Sequence, residues 1–359
     1  MAARSVVALL SIPLCVTGTA AAAPAASSQA SEGTLFKIKV GQQPQRWGLE
    51  WYIASQKGWW KEVGLEPTML TFSSGAPEIA AGASGSWDVG GAGNIPSVLG
   101  AARYGLQTIG IADGEAAIIT IMATKDKADA YLKNPALMKG KTIPVTSNST
   151  GQWGATECLK KKFGLGAGDY QYVNLSPAEI NAAVSSGRYD VSEVWAPNTY
   201  ILESTIGAKI ICTGAEVGLP ITSNLFALPA FAKKHPDIVA KFLAIYLRAI
   251  AWEHAHPKET VEYLGQFFKS TGVNIPEKYL PIELHDRPAY DLAQQVAIFK
   301  KNANGGSTME DWWNQVGNFM ISVGTIRKVP DVKTHVTDKY LMMIQNDPKL
   351  KAFAENKGD

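Results

Sequence analysis

The sequence predicts an α/β protein built as two doubly wound lobes, and three observations predict it. Strand-like and helix-like segments alternate from residue 35 to residue 228, in two successive blocks of the same grammar. After Pro229 the patterns become helical and stay so to the end. The chain has 359 residues, more than one ordinary hydrophobic core accommodates and about right for two.

In the first block, 36–40 reads as a strand and 51–60 as a helix with Ile53, Ala54 and Trp60 on its apolar face. Gly64 ends that helix in the usual way. A second strand follows at 65–71. Ser73-Ser74-Gly75-Ala76-Pro77-Glu78 is a helix start, with a serine cap, a proline in the first turn and an acid that the helix dipole favours. Then come a strand at 87–91, a helix at 95–102, and strands at 106–111 and 117–124.

The second block has strands at 141–145, 170–173, 189–195 and 209–212. They alternate with helices at 151–163, 177–185 and 198–204. Residues 225–228 lead into a long helix at 236–254. This alternation implies mostly parallel sheets covered by helices on both faces. The expected division is 33–124 for the first part of lobe 1, 125–225 for lobe 2, and 226–345 for the return to lobe 1 with extra C-terminal helices. The crossings are expected near 123–126 and 224–229.

The first residues are different in kind. One positive charge at Arg4 precedes a short uncharged apolar run from Val6 to Thr19, then a stretch of small residues with A-x-A options. That is the order of a secretory signal peptide, expected to span 1–23 and to deliver the chain to the periplasm. A lipoprotein signal on Cys15 is the alternative, disfavoured by the bulky Leu14 before it. Elsewhere no apolar run approaches the ~18 residues of a membrane span. Cys158 falls on a helix and Cys212 on a later strand; in an oxidising compartment they could pair. Two separately buried thiols are expected, because nothing in the sequence brings their α-carbons within bonding distance. A net charge of +2 with scattered lysines gives no basic stripe, which excludes a nucleic-acid partner.

In open α/β sheets ligands sit beyond the carboxyl ends of the strands, against helix starts. Three loops there share one composition. They are Phe72-Ser73-Ser74-Gly75, Gly90-Gly91-Ala92-Gly93-Asn94 and Thr146-Ser147-Asn148-Ser149-Thr150-Gly151. Small polar residues and glycines expose backbone amides at a helix start, which suits a polar or anionic group. Ser74, Gly75, Asn94, Ser149 and Thr150 are the candidates, with simple capping as the alternative for each loop. Arg46 and Trp47 follow the first strand, Asp113 and Glu115 the fourth, and Glu193 and Trp195 close a strand of the second block. Trp47 and Trp195 could sandwich a ligand or serve as core. Arg46 could meet an acid in bidentate fashion or lie in solvent. Asp113 and Glu115 could hold an ammonium group or be plain turn residues.

No catalytic residue, cofactor or metal site is expected. The G-x-S-x-G elbow, the P-loop, H-E-x-x-H and C-x-x-C are all absent from the sequence. Gly91-Ala92-Gly93 lacks the third glycine of a dinucleotide loop. His254 and His256 stand two apart at a helix end, a poor spacing for a metal.

The segment Ile53-Ala54-Ser55-Gln56-Lys57-Gly58-Trp59-Trp60, with Val63-Gly64-Leu65-Glu66-Pro67, resembles the opening of the SsuA/TauA/NrtA and NMT1/THI5-like solute-binding proteins. Trp87-Asp88-Val89-Gly90, Val173-Asn174-Leu175-Ser176-Pro177, Val194-Trp195-Ala196-Pro197 and Lys233-Lys234-His235-Pro236-Asp237 continue the resemblance over most of the chain. It implies a type II periplasmic-binding-protein fold, a small-molecule ligand, an ABC permease and ATPase as partners, and a monomer that closes by a hinge. Ser74, Asn94, Ser149, Thr150 and Trp195 carry over as site positions. Asn94, Arg46-Trp47 and the acidic Asp113-Gly114-Glu115 depart from the common sulfonate pattern. They point to an organic anion or zwitterion, either sulfonate- or taurine-like or an aromatic or heterocyclic acid. A thiamine-precursor binding protein or a related enzyme on the same fold, and a ligand-presenting sensory module, are the alternatives.

Overall fold

The computed structural model describes residues 34–303 and 305–359, and the expected signal peptide and Cys15 lie outside them. The first sheet is ordered β2-β1-β3-β10-β4, from β1 Phe36–Gln42, β2 Leu65–Thr71, β3 Val89–Gly93, β4 Gln107–Gly114 and β10 Thr222–Ala227. The second lobe holds β5 Ile119–Ala123, β8 Val191–Trp195 and β9 Lys209–Thr213 in the order β8-β5-β9. Beside them lies the parallel pair β6 Thr142–Val145 and β7 Gln171–Asn174. Because β6 packs along β8, the second lobe repeats the strand order of the first, with β5 in the place of β10.

Two expectations are corrected here. The sheets are mixed rather than mostly parallel: β1 runs parallel to β2 and β3, but β10 is antiparallel to β3 and β4, and β5 to β8 and β9. Both antiparallel strands come directly after the chain has passed from the other lobe, so each enters its sheet from the opposite end. The strand at 119–123, expected to close lobe 1, pairs in the second sheet. The passages therefore fall at 115–118 and 214–221, ahead of the expected positions.

Local sequence explains the elements well. Ile38 and Val40 alternate inward along β1. Ser176 and Glu179 form a reciprocal capping box at helix Pro177–Ser185. Helix Pro236–Ala255 is apolar nearly all round and, apart from Lys241, buried from Ile238 to Glu253, as a helix in the middle of a core must be. It is covered by helix Leu49–Gln56 on one side and by the C-terminal helices Lys339–Asn346 and Pro348–Ala354 on others. Beyond Pro229 the described residues form helices, with two isolated bridges, Thr108 to Val336 and Asp113 to Ala289.

Cys158 and Cys212 are bonded, against the expectation of separate thiols. A π-helical turn, Cys158–Lys162, continues helix Thr150–Glu157 and lies against β9, which brings the two α-carbons to 6.1 Å.

Candidate functional site

A small, partly open cavity lies where the carboxyl ends of the two sheets meet. Lobe 1 contributes Gln43, Gln45 and Trp47 after β1, Gly75 after β2, Gly93 and Pro96 around the end of β3, Glu115 after β4, and Ser223 of β10. Lobe 2 contributes Ile119, the helix start Ser149-Thr150-Gly151, and Trp195. The lobes touch at its edge. The Thr150 hydroxyl donates to Asn94 Oδ1 at 3.2 Å and accepts from the Ile95 N–H at 3.3 Å. That approach needs Gly93, since a β-carbon there would stand 2.3 Å from Thr150 Oγ1. Further out, the Tyr200 hydroxyl donates to Glu283 at 3.0 Å and its ring stacks on Tyr279 at 4.8 Å.

Of the residues expected at the site, Trp47, Gly75, Glu115, Ser149, Thr150 and Trp195 line the cavity. Ser149 also caps its helix by accepting from Gln152 N at 3.1 Å. Ser74 stands at the N-cap of helix Gly75–Gly82 but its side chain makes no capping bond, contrary to expectation. Asn94 sits one step behind the wall, joined to Thr150. Glu193 lies beneath Gly151, accepting from Thr146 N at 3.3 Å. A β-carbon at position 151 would meet Glu193 Oε1 at 1.9 Å.

Arg46 is neither a solvated arginine nor free for a ligand. It is buried, its guanidinium bound by Glu50 and Glu253. Burial opposes its charge, yet Glu253 and Glu50 hold its pKa above the ordinary value. Asp113 is likewise committed. Arg287, which the sequence reading missed, donates from Nε to Asp113 at 2.9 Å, from Nη2 to Glu115 at 2.5 Å, and from Nη1 to Gln45 at 2.9 Å and Glu283 at 3.2 Å. One guanidinium thus serves three buried carboxylates. Its only local signal is the i,i+4 pairing with Glu283, common on any helix. Glu78, also missed, accepts from Gln43 Nε2 at 2.7 Å just behind the cavity.

Burial is the first cause of every carboxylate shift here. It lifts Glu115 to about 7 against the pull of Arg287, and Asp113 and Glu283 upward by the same balance. It lifts Glu78 to about 8 against the Gln43 hydrogen bond, and Glu193 to about 8 against the Thr146 amide. Of the two histidines near residue 255, His256 stacks on Trp252 at 4.5 Å and bonds its carbonyl, and His254 is exposed.

Two α/β lobes of matched strand order, closed on a small cavity between strand ends, define the type II periplasmic-binding-protein fold. The chain belongs to the NMT1/THI5-like family, whose profile matches residues 48–260. It is similar to the periplasmic aliphatic sulphonate binding protein SsuA from Escherichia coli, with a TM-score of 0.68 and 18% identity over 84% of this chain and 92% of that one. The periplasmic nitrate-binding protein NrtA from Synechocystis PCC 6803 superposes with a TM-score of 0.68 at 12% identity, over 90% of this chain and 92% of that one. The taurine-binding periplasmic protein of Escherichia coli is 30% identical over 188 residues, 51% of this chain and 56% of that protein.

Proposed function

We propose that this chain is the exported solute receptor of an ABC importer. It closes by a hinge on a small organic anion or zwitterion and presents the loaded, closed form to a membrane permease and its ATPase, without chemistry of its own. It works in the periplasm, as a monomer. The observation that carries this reading is the shared cavity: its walls come from both lobes, and Thr150 of one lobe joins Asn94 and Ile95 of the other at its edge. A ligand seated there adds contacts only when the lobes meet, so it favours the closed state by its differential affinity for that state. The names of the similar proteins, sulfonate-, taurine- and nitrate-binding, support the receptor class.

The reading is tested by purifying the mature chain, identifying what it binds, and asking whether uptake of that solute is lost when the gene for this chain and that for a candidate permease are deleted separately. Loss in both strains is expected. Turnover of the bound solute by the purified chain would contradict it.

A further inference from the structure

Resting on the receptor reading, we infer that the solute this cavity takes carries an organic ammonium group, seated against Glu115 and the Trp47 and Trp195 walls. Glu115 is the one charged side chain among the cavity-lining residues. The two arginines that lie nearby are spent: Arg46 on Glu50 and Glu253, Arg287 on Asp113, Glu115 and Glu283. Each guanidinium is held by at least two buried carboxylates, so an arriving anion finds neither one free. Glu115 gives Oε1 to Arg287, while its Oε2 lies on the side of Gly93, 3.5 Å from where a β-carbon there would stand, at the cavity wall.

A cation satisfies this arrangement twice. It supplies the charge that the Asp113–Glu115–Glu283 group lacks, and aromatic faces attract it electrostatically. The helix starts at Gly75 and Ser149–Gly151 face the same cavity and suit an anionic pole at the other end of the molecule. A zwitterion therefore fits better than an alkanesulfonate or an inorganic anion. The charged groups facing Glu115 are Arg287, Asp113 and Glu283, and the Ser223 hydroxyl also favours its ionised form. A bound ammonium favours the ionised Glu115, so ammonium affinity rises as pH passes upward through about 7.

The test uses matched pairs that differ in the ammonium group: taurine with propane-1-sulfonate, and 4-aminobutyrate with pentanoate. Binding is measured by thermal shift and calorimetry on the mature chain and on Glu115→Gln. At least one ammonium member should bind, its partner should bind about 10- to 100-fold more weakly, and Glu115→Gln should erase the difference. An ammonium-free partner that binds as tightly overturns the inference, and so does silence from every ammonium member. If Glu115→Gln does not fold, Glu115→Asp decides: it keeps the charge one methylene further back and must weaken the ammonium member more than its partner, and equal losses overturn the inference. The receptor reading fails separately: tight propane-1-sulfonate binding with compaction sinks only the ammonium requirement, whereas tight binding without compaction sinks the receptor.

Discussion

Arg287 Nε donates to Asp113 Oδ2 at 2.9 Å, joining two fully buried side chains 174 residues apart. The bond ties the end of β4, beside the cavity, to the C-terminal helical region. Through Glu283 the same guanidinium reaches Tyr200 of the second lobe. One buried cation thus connects the cavity wall, the helical cover and a contact between lobes.

Removing that cation leaves Asp113, Glu115 and Glu283 buried together without a counterion. Arg287→Met should destabilise the fold by about 3–5 kcal/mol, read from the urea unfolding midpoint. Wild-type stability in this variant would remove the electrostatic role given to Arg287.

Tyr200→Phe deletes the hydroxyl that meets Glu283 while keeping the ring stack on Tyr279. The closed state should lose about 1 kcal/mol, which weakens ligand affinity about fivefold through faster release. Stopped-flow dissociation rates check this; an unchanged rate would mean that the bond does not contribute to closure.

The Cys158–Cys212 bond closes a loop of 54 residues of sequence separation within lobe 2. Reduction, or the double change to serine, should lower stability by about 2–4 kcal/mol. Melting with and without reductant measures it, after mass spectrometry of the alkylated protein has established the bond.

Glu78 and Glu193 both sit near 8 in the fold because burial disfavours their charge, whereas the unfolded carboxyl titrates near 4.5. Between those values the folded protein holds protons that the unfolded chain releases. Their contribution is fully present below about pH 4.5 and is lost as pH rises toward about 8. The urea midpoint should fall over that window, and Glu193→Gln should flatten part of the fall. A midpoint that rises with pH in the wild type and is unaltered in slope by Glu193→Gln would contradict this assignment.

Much of the fold was legible because its signals are local. Helix Pro177–Ser185 and strand Leu65–Thr71 appear with the expected bounds, set by a serine–glutamate capping box and by the Gly64 and Ser73–Gly75 breaks. Trp47, Glu115, Thr150 and Trp195 were legible at the cavity because each follows or ends a strand, where α/β sheets keep their ligands. What escaped depends on pairing at a distance. The direction of β10 follows from the chain's passage between lobes, which its own residues do not encode. Arg46 was misread because Glu253, one of its two partners, lies 207 residues away. Arg287 was overlooked for the same reason, and the Cys158–Cys212 contact depends on how a π-turn lies against a strand.

The central claim is that the two lobes close on a ligand held between them. Small-angle scattering of the mature chain, with and without a saturating solute identified by calorimetry, tests it most directly. A smaller radius of gyration in the loaded form is expected, with a curve that matches the closed arrangement in which Thr150 meets Asn94. An unchanged radius with a tightly bound solute would contradict the account.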